Sequence, residues 1–393
     1  MALRLRTTRS GRRRLLTIGH SYVIGANRRL AHELARLPYW DVTAVAPAKF
    51  RGDFGWHALQ SEPFEACSVE PVGARFTRPV HLMLYGRRLR ELLKQRWDLV
   101  HCWEEPYVTA AAQVAAATPC QVPLVFSTFQ NIAKRYPPPF NWIERHVLNR
   151  ADGVVAFGQT ALQVLAARGF SSARSCVIPA GVDTIRFAPD SSARDKVRAM
   201  LGWADDDLVI GFLGRFVPEK GLDVLTGTLD RLSLPWRALF VGGGPLERQL
   251  RAWGQRYGDR VAVTTTVGHD DVQGWLNAMD VLCAPSQTTG RWREQFGRML
   301  IEAFACGIPV VASRSGEIPF VVGDAGVLVD EADERGWKDA IERVLTVPPL
   351  RTLLATRGRE RAVSLHDWSV IARQHASFFE QIIEGASAPE RVA

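Results

Sequence analysis

Short apolar runs alternate with helical stretches along almost the whole chain, and this alternation restricts the fold more than any other feature. In the first half the runs are LLTIG (15–19), DVTAVAP (41–47), DLVHCW (98–103), PLVFST (123–128), GVVAFG (153–158) and CVIPAG (176–181). Helical spacing fills the gaps at 27–37, 107–117, 140–150 and 160–168. Continuous apolar runs belong to strands buried on both faces, the condition of a parallel sheet covered by its own crossover helices. The pattern pauses at PAGVDTIRFAPDSSA (179–193), whose Pro, Asp and Ser content and lack of period predict a linker. It restarts with LVIGFLG (208–214), ALFVGG (238–243), VAVTTTV (261–267), VLCAPS (281–286), PVVAS (309–313) and VLVD (327–330). Helices are expected between them at 221–232, 245–253, 270–279, 297–306 and 334–346.

The expected fold class is α/β, with two Rossmann-like doubly wound domains. A length of 393 residues suits two domains. With 47% hydrophobic and 23% charged residues, each half has material for a core. The pattern places a loose basic tail at 1–13, a first domain at 14–185, a second at 186–365 and a closing segment at 366–393. The helix of that segment has Trp368, Ile371, Phe378, Phe379 and Ile382 as apolar anchors. Open parallel sheets bind ligands beyond the carboxyl ends of their strands. Two facing sheets would enclose one interdomain cleft, suited to a reaction between two substrates.

Composition removes several functions. No apolar run reaches the ~18–20 residues of a membrane span. The apolar stretch after the basic start is too short for a signal-peptide core, so a cytoplasmic protein is expected, with the inner membrane face as the alternative. Cysteines at 67, 102, 120, 176, 283 and 306 show no zinc or redox spacing and read as reduced residues, mostly of the core. The net charge of +8 suits an anionic membrane or a polyanionic small molecule; nucleic acid is set aside because no recognition module is present. No metal site is expected, since Asp205 to Asp207 read as a turn and Asp270 with Asp271 as a helix start. The stretch HLMLYGRRLRELLKQRW (81–97) reads as a basic amphipathic helix, either a packing helix with a solvated face or one lying on an anionic membrane.

The chemistry concentrates in the second half. In REQFGRMLIEAFACGIPVVAS (293–313), Glu294 is expected in the loop before a helix opened by Gly297, and Glu302 about a turn inside it. Ionised carboxylates so placed accept from paired hydroxyls of a sugar and a ribose, and amides near Phe296 and Gly297 suit a phosphate. The competing reading is two solvated glutamates. In GRFVPEKG (214–221), Gly214 lets the backbone pass close to a ligand, and Arg215 and Lys220 can converge on one anion. The bland alternative is a surface loop with Arg215 paired to Glu219. The turn VGGGPLE (241–247), containing Gly243, would admit a nucleotide, and APSQTTGRWREQ (284–295) brings Ser286 and Arg291 to the same edge.

These segments, together with the ACGIPVVAS strand and the SGEIP turn, resemble the retaining glycosyltransferases of family 4, with the GT-B fold. The similarity covers most of the C-terminal half, and IGHSYVIGANRRLAHELA (18–35) and DLVHCWEEPY (98–107) extend it more loosely. The resemblance implies that Arg215, Lys220 and Glu294 carry catalysis: the cations hold the donor diphosphate and Glu294 contacts the transferred sugar. Glu302 would bind the ribose, and the last helix would brace the first domain. Many members carry a His after the strand that here reads VFSTFQN; this chain has Thr128, Phe129, Gln130 and Asn131. Gln130 or Asn131 would take over its hydrogen bonding, and His20 or His101 could face the cleft, although a lone His at a strand end is more often structural. The acceptor is expected on the first domain, at His20, Gly25, Asn27 as a helix cap, Glu104, Glu105, Gln130 and Asn131. The function expected is sugar transfer with retention from a nucleotide-diphosphate sugar, uridine preferred over guanosine and no cofactor or metal, to a carbohydrate, lipid-linked or small-molecule acceptor. A sugar-nucleotide epimerase and a catalytically silent nucleotide-sugar-binding protein remain as alternatives.

Overall fold

The computed structural model describes residues 11–52, 55–62, 65–171, 174–265, 267–268 and 271–387. Residues 1–10 of the basic tail, Thr266 of one expected strand, Asp270, and residues 388–393 of the closing segment lie outside the described residues. The chain divides into two compact units, one running to Pro179 and resuming at Trp368, the other Ala180–Asp367.

The strands of the first unit are β1 (Arg13–Ile18), β2 (Trp40–Pro47), β3 (Lys49–Gly52), β4 (Gly55–Ala58), β5 (Ser68–Val72), β6 (Ala74–Arg75), β7 (Leu84–Tyr85), β8 (Leu99–Cys102), β9 (Leu124–Thr128), β10 (Gly153–Ala156) and β11 (Ser175–Val177). Seven form a parallel sheet in the order β11-β10-β9-β8-β1-β2-β5, while β3–β4 and β6–β7 are small antiparallel hairpins. Successive strand residues point to opposite faces. Leu16, Val100, Phe126 and Val154 therefore enter one core, and Leu15, Leu99, Val125 and Val155 the other. The helix Trp368–Ser387 covers that second face through Ile371, Phe378 and Phe379, with Phe379 edge-on to Trp40 at 6.0 Å.

The second unit holds β12 (Val209–Arg215), β13 (Arg237–Gly243), β14 (Val261–Thr264), β15 (Val281–Ala284), β16 (Val310–Ser313) and β17 (Val327–Val329), all parallel, in the order β14-β13-β12-β15-β16-β17. Ile210, Phe212, Phe240, Cys283 and Val311 pack with Trp337 and Ile341 of the helix Glu334–Thr346.

Several expectations are corrected. Residues 11–13 are not loose: Arg12 donates to the carbonyls of Ala35 and Leu37, and Arg13 opens β1 and pairs with Glu380 at 2.7 Å. The linker is shorter than 179–193, because Asp190 caps a helix at Ser191–Leu201 by accepting from the Ala193 amide at 3.0 Å. The stretch 81–97 is not one helix. Leu84 and Tyr85 pair as a strand, and only Arg87–Leu93 is helical, with Leu89, Leu92 and Leu93 buried. The six cysteines are free, and Cys120 is exposed rather than in a core. No helix among the described residues is long and apolar enough to cross a membrane.

Candidate active site

In a doubly wound sheet the ligand crevice opens where the strand order reverses, because neighbouring connections there leave in opposite directions. In the second unit this point lies between β12 and β15. Arg215 ends β12, and Ser286 follows β15 closely, so both loops rise from the carboxyl edge at the reversal.

The two loops are stitched together. Lys220 Nζ reaches Glu294 Oε2 at 2.5 Å, and Ser286 Oγ donates to the same oxygen at 2.8 Å. Lys220 also sits 5.3 Å from the centre of the Trp292 ring. Gln287 N donates to Glu219 O at 2.8 Å. Gly221 has φ 67°, and a Cβ there would fall 1.9 Å from Pro285 O, so the close approach of the loops requires glycine. Glu294 is fixed from behind: Glu317 N donates to its carbonyl at 3.0 Å, and Gly316, at φ 54°, would carry a Cβ 2.1 Å from that oxygen.

Both glutamates of the pair are buried, at 6% exposure for Glu294 and 9% for Glu302, rather than solvated. Glu302 lies in the second turn of the helix Arg298–Ala305 and has no side-chain hydrogen bond among the described residues. Burial pushes its carboxyl above the ordinary value of 4.5, opposed by the charges of Arg298 and Arg186. Gly297 stands immediately before that helix with φ 83°, and Phe296 is buried against the His366 ring at 5.9 Å. Arg215 is exposed and has no side-chain partner among the described residues, Glu219 included. Gly214 precedes it, with φ 153°. Gly243 ends the neighbouring strand β13, accepts from Phe216 N at 2.8 Å, and has open space where a Cβ would stand. The structure thus joins Lys220, Glu294 and Ser286 directly and, among the described residues, gives neither the Arg215 guanidinium nor the Glu302 carboxylate a side-chain hydrogen bond. Trp292 and Gly316 were not singled out from sequence; both lie inside the quoted motifs, but only the folded loops reveal their contacts.

In the first unit the order reverses between β1 and β8. His20 follows β1 and Glu104 follows β8. His20 donates its backbone N–H to Glu104 Oε1 at 2.6 Å and approaches Oε2 through Nδ1 at 2.5 Å. Tyr85, not singled out from sequence, donates to Glu104 Oε1 at 2.7 Å. Glu105 is instead committed to β9, accepting from Thr128 Oγ1 at 2.8 Å and Phe129 N at 2.7 Å, so both oxygens expected to meet an acceptor are already used. Burial raises its carboxyl to about 7, against those same hydrogen bonds. Gln130 is buried and bonds Tyr136, and Asn131 is buried beside it. Asn27 is not a helix cap: its amide donates to Ser21 O at 3.0 Å, and the helix Arg29–Arg36 begins without a side-chain cap. Gly25 N donates to Gln60 Oε1 at 2.9 Å. His101 is structural, fully buried between Thr17 Oγ1 at 3.0 Å and Ser127 Oγ at 2.9 Å, and burial pushes it well below 6.5. Among the described residues no three His, Cys, Asp or Glu side chains converge in a metal-holding group.

Comparison with known proteins follows the same division. Residues 27–186 match the family model Glycosyltransferase Family 4, and residues 207–347 match Glycosyl transferases group 1. Over 233 residues the chain is 34% identical to a GDP-mannose-dependent alpha-(1-6)-phosphatidylinositol monomannoside mannosyltransferase of Mycolicibacterium smegmatis, covering 57% of this chain and 61% of that one. Over 284 residues it is 34% identical to a D-inositol 3-phosphate glycosyltransferase of Xylanimonas cellulosilytica, covering 68% and 63%. The chain thus spans about three fifths of the length of these relatives. In fold it is similar to sucrose-phosphate synthase of Thermosynechococcus elongatus, with TM-score 0.72 at 23% identity over 95% of this chain and 100% of that one. The catalytic domain of starch synthase IV of Arabidopsis thaliana gives TM-score 0.70 at 15% identity over the same shares. With two parallel-sheet α/β domains of the GT-B kind and a family model matched in each, the chain belongs to the family 4 glycosyltransferases.

Proposed function

We propose that the chain transfers a sugar, with retention, from a nucleotide-diphosphate sugar to a hydroxyl of an acceptor. The observation that carries this reading is the Lys220–Glu294–Ser286 knot at the sheet edge where the strand order reverses, the edge at which β12 ends on Arg215, a residue with no side-chain hydrogen bond among the described residues. Breaking a sugar–phosphate bond builds negative charge on the departing diphosphate. Cations fixed beforehand stabilise that charge more in the transition state than in the ground state. Arg215 offers a fork of donors and Lys220 a point charge held in place by Glu294. We assign Glu294 to the sugar, the buried Glu302 carboxylate to the ribose hydroxyls, and the amides at Phe296 and Gly297 to phosphate oxygens. The proton of the acceptor hydroxyl goes to the donor phosphate on the face of the departing group, since Gln130 and Asn131 cannot act as bases at neutral pH.

The relatives named above act on inositol phosphate and a phosphatidylinositol mannoside. We take a polyol phosphate, free or lipid-linked, as the acceptor class, bound by the first unit. A lipid-linked member would bring the protein to a membrane surface, where the exposed Arg87, Arg88, Arg90, Lys94 and Arg96 provide positive charge. One relative's donor is GDP-mannose, so GDP-mannose is tested beside the UDP-sugars that the sequence suggested. The experiment incubates the protein with each donor and with D-inositol 3-phosphate or phosphatidylinositol, and follows nucleotide release and the anomeric configuration of the product by NMR. An α-linked product from an α-linked donor supports the reading. Isomerised nucleotide sugar in the absence of acceptor would assign an epimerase instead. Tight donor binding with neither product would assign a silent binding protein.

A further inference from the structure

The reversal point of the first unit holds a side-chain arrangement that the donor chemistry leaves unused. Glu104 is 1% exposed, yet accepts hydrogen bonds from His20 N, His20 Nδ1 and Tyr85 Oη. The Phe50 ring lies 5.1 Å from the imidazole, tilted by 31°. The ring is thereby held at one nitrogen, while the side chain remains 28% exposed and Nε2 has no hydrogen-bond partner among the described residues. A carboxylate bound to one imidazole nitrogen fixes the tautomer and aims the other outward.

We propose that His20, oriented by Glu104 and Tyr85, binds the acceptor by donating Nε2–H to one of its phosphate or hydroxyl oxygens, and does not remove the acceptor's proton. This rests on the reading of the chain as a glycosyltransferase whose first unit binds a polyol phosphate. Glu104 favours the charged ring, the form in which Nε2 carries a proton to donate. Burial disfavours the imidazolium, but the charge and hydrogen bond of Glu104 more than offset it, so the His20 pKa lies above 6.5. Tyr85 faces the same carboxylate from the hairpin strand β7; burial pushes its phenol well up, so it stays a neutral donor across the working range. Phe50, from β3, adds no charge. Binding through the protonated ring is complete below the raised pKa and is lost as pH rises through it. A base would show the opposite dependence.

The test is an imidazole nitrogen NMR titration of the whole protein with D-inositol 3-phosphate, and separately with inorganic phosphate and with myo-inositol. Movement of the His20 Nε2 resonance on adding D-inositol 3-phosphate, with affinity falling as pH rises, is the expected result. The two separate arms show which half of the molecule the ring contacts. Glu104→Gln should move that fall to lower pH. His20→Phe should weaken binding on the order of tenfold, the size of one charge-assisted hydrogen bond, and His20→Gln, which keeps a donor near the Nε2 position, should restore part of it. An unmoved resonance with all three probes, or affinity that strengthens as pH rises, overturns the proposal. The response of the wild-type protein to UDP and GDP in the same samples reports on the donor reading separately. Should His20→Phe prevent folding, the wild-type titration still decides.

Discussion

Lys220 and Glu294 are paired at 2.5 Å, so neither acts as an isolated charge. Removing one takes the opposite charge from the other in a buried setting, which is costly in itself. Lys220→Ala should therefore lower turnover by ~10²–10³-fold and also reduce thermal stability; Lys220→Met, which fills the same space, separates loss of charge from loss of packing. Glu302 behaves differently, because its carboxylate is buried without a side-chain hydrogen bond among the described residues and its pKa is raised by burial. The native state then holds its proton more tightly than the unfolded chain, so stability falls as pH rises from 4.5 through the raised value. Glu302→Gln should flatten that slope in acid titrations followed by circular dichroism, leave neutral-pH stability equal or higher, and weaken nucleotide binding. Weakened binding with lower stability would point to a packing role instead. Gly316→Ala should cost ~1–3 kcal/mol for its positive φ alone, and turnover should fall beyond what lost stability explains, since the new Cβ would displace the carbonyl of Glu294.

At the scale of elements, the site depends on β12 and β15 being neighbours although two strands and their helices separate them in sequence. Their apolar runs were legible because strands buried on both faces cannot tolerate polar residues. The edge strand β5, SVEPV, was not legible: it carries Glu70 and Pro71, and its pairing with β2 is invisible to hydrophobic pattern. The helix Ser191–Leu201 was hidden by its charged, serine-rich face, and the stretch 81–97 misled because Gly86 and the pairing of Tyr85 with Ala74 interrupt its helical spacing. The donor motifs were readable since their glycines, cations and carboxylates lie close together along the chain. The His20–Glu104–Tyr85 contact was less so, because its members come from three separate segments. The terminal helix makes the sharpest prediction at this scale. Phe379 is fully buried against the sheet and Trp40, so Phe379→Ala should cost ~3–5 kcal/mol in denaturant unfolding. A cost below about 1 kcal/mol would mean that the helix is not an integral part of that core.

The whole molecule comprises two units, each with its own sheet and core, and the chain returns to the first unit only through its last helix. Separate cores permit separate unfolding transitions. A ligand held by one unit should raise the transition of that unit, by ~2.7 kcal/mol at 100 times its dissociation constant. Nucleoside diphosphates should therefore stabilise the transition belonging to Ala180–Asp367. The most direct measurement of the central claim is calorimetric titration with UDP and GDP, and with uridine and guanosine, of the wild-type protein and of Arg215→Ala and Lys220→Met. The account predicts that the preferred diphosphate binds far more tightly than its nucleoside, and that either substitution weakens the diphosphate at least tenfold while leaving the nucleoside nearly unchanged. Equal affinity for nucleoside and diphosphate, or substitutions without effect, would contradict it.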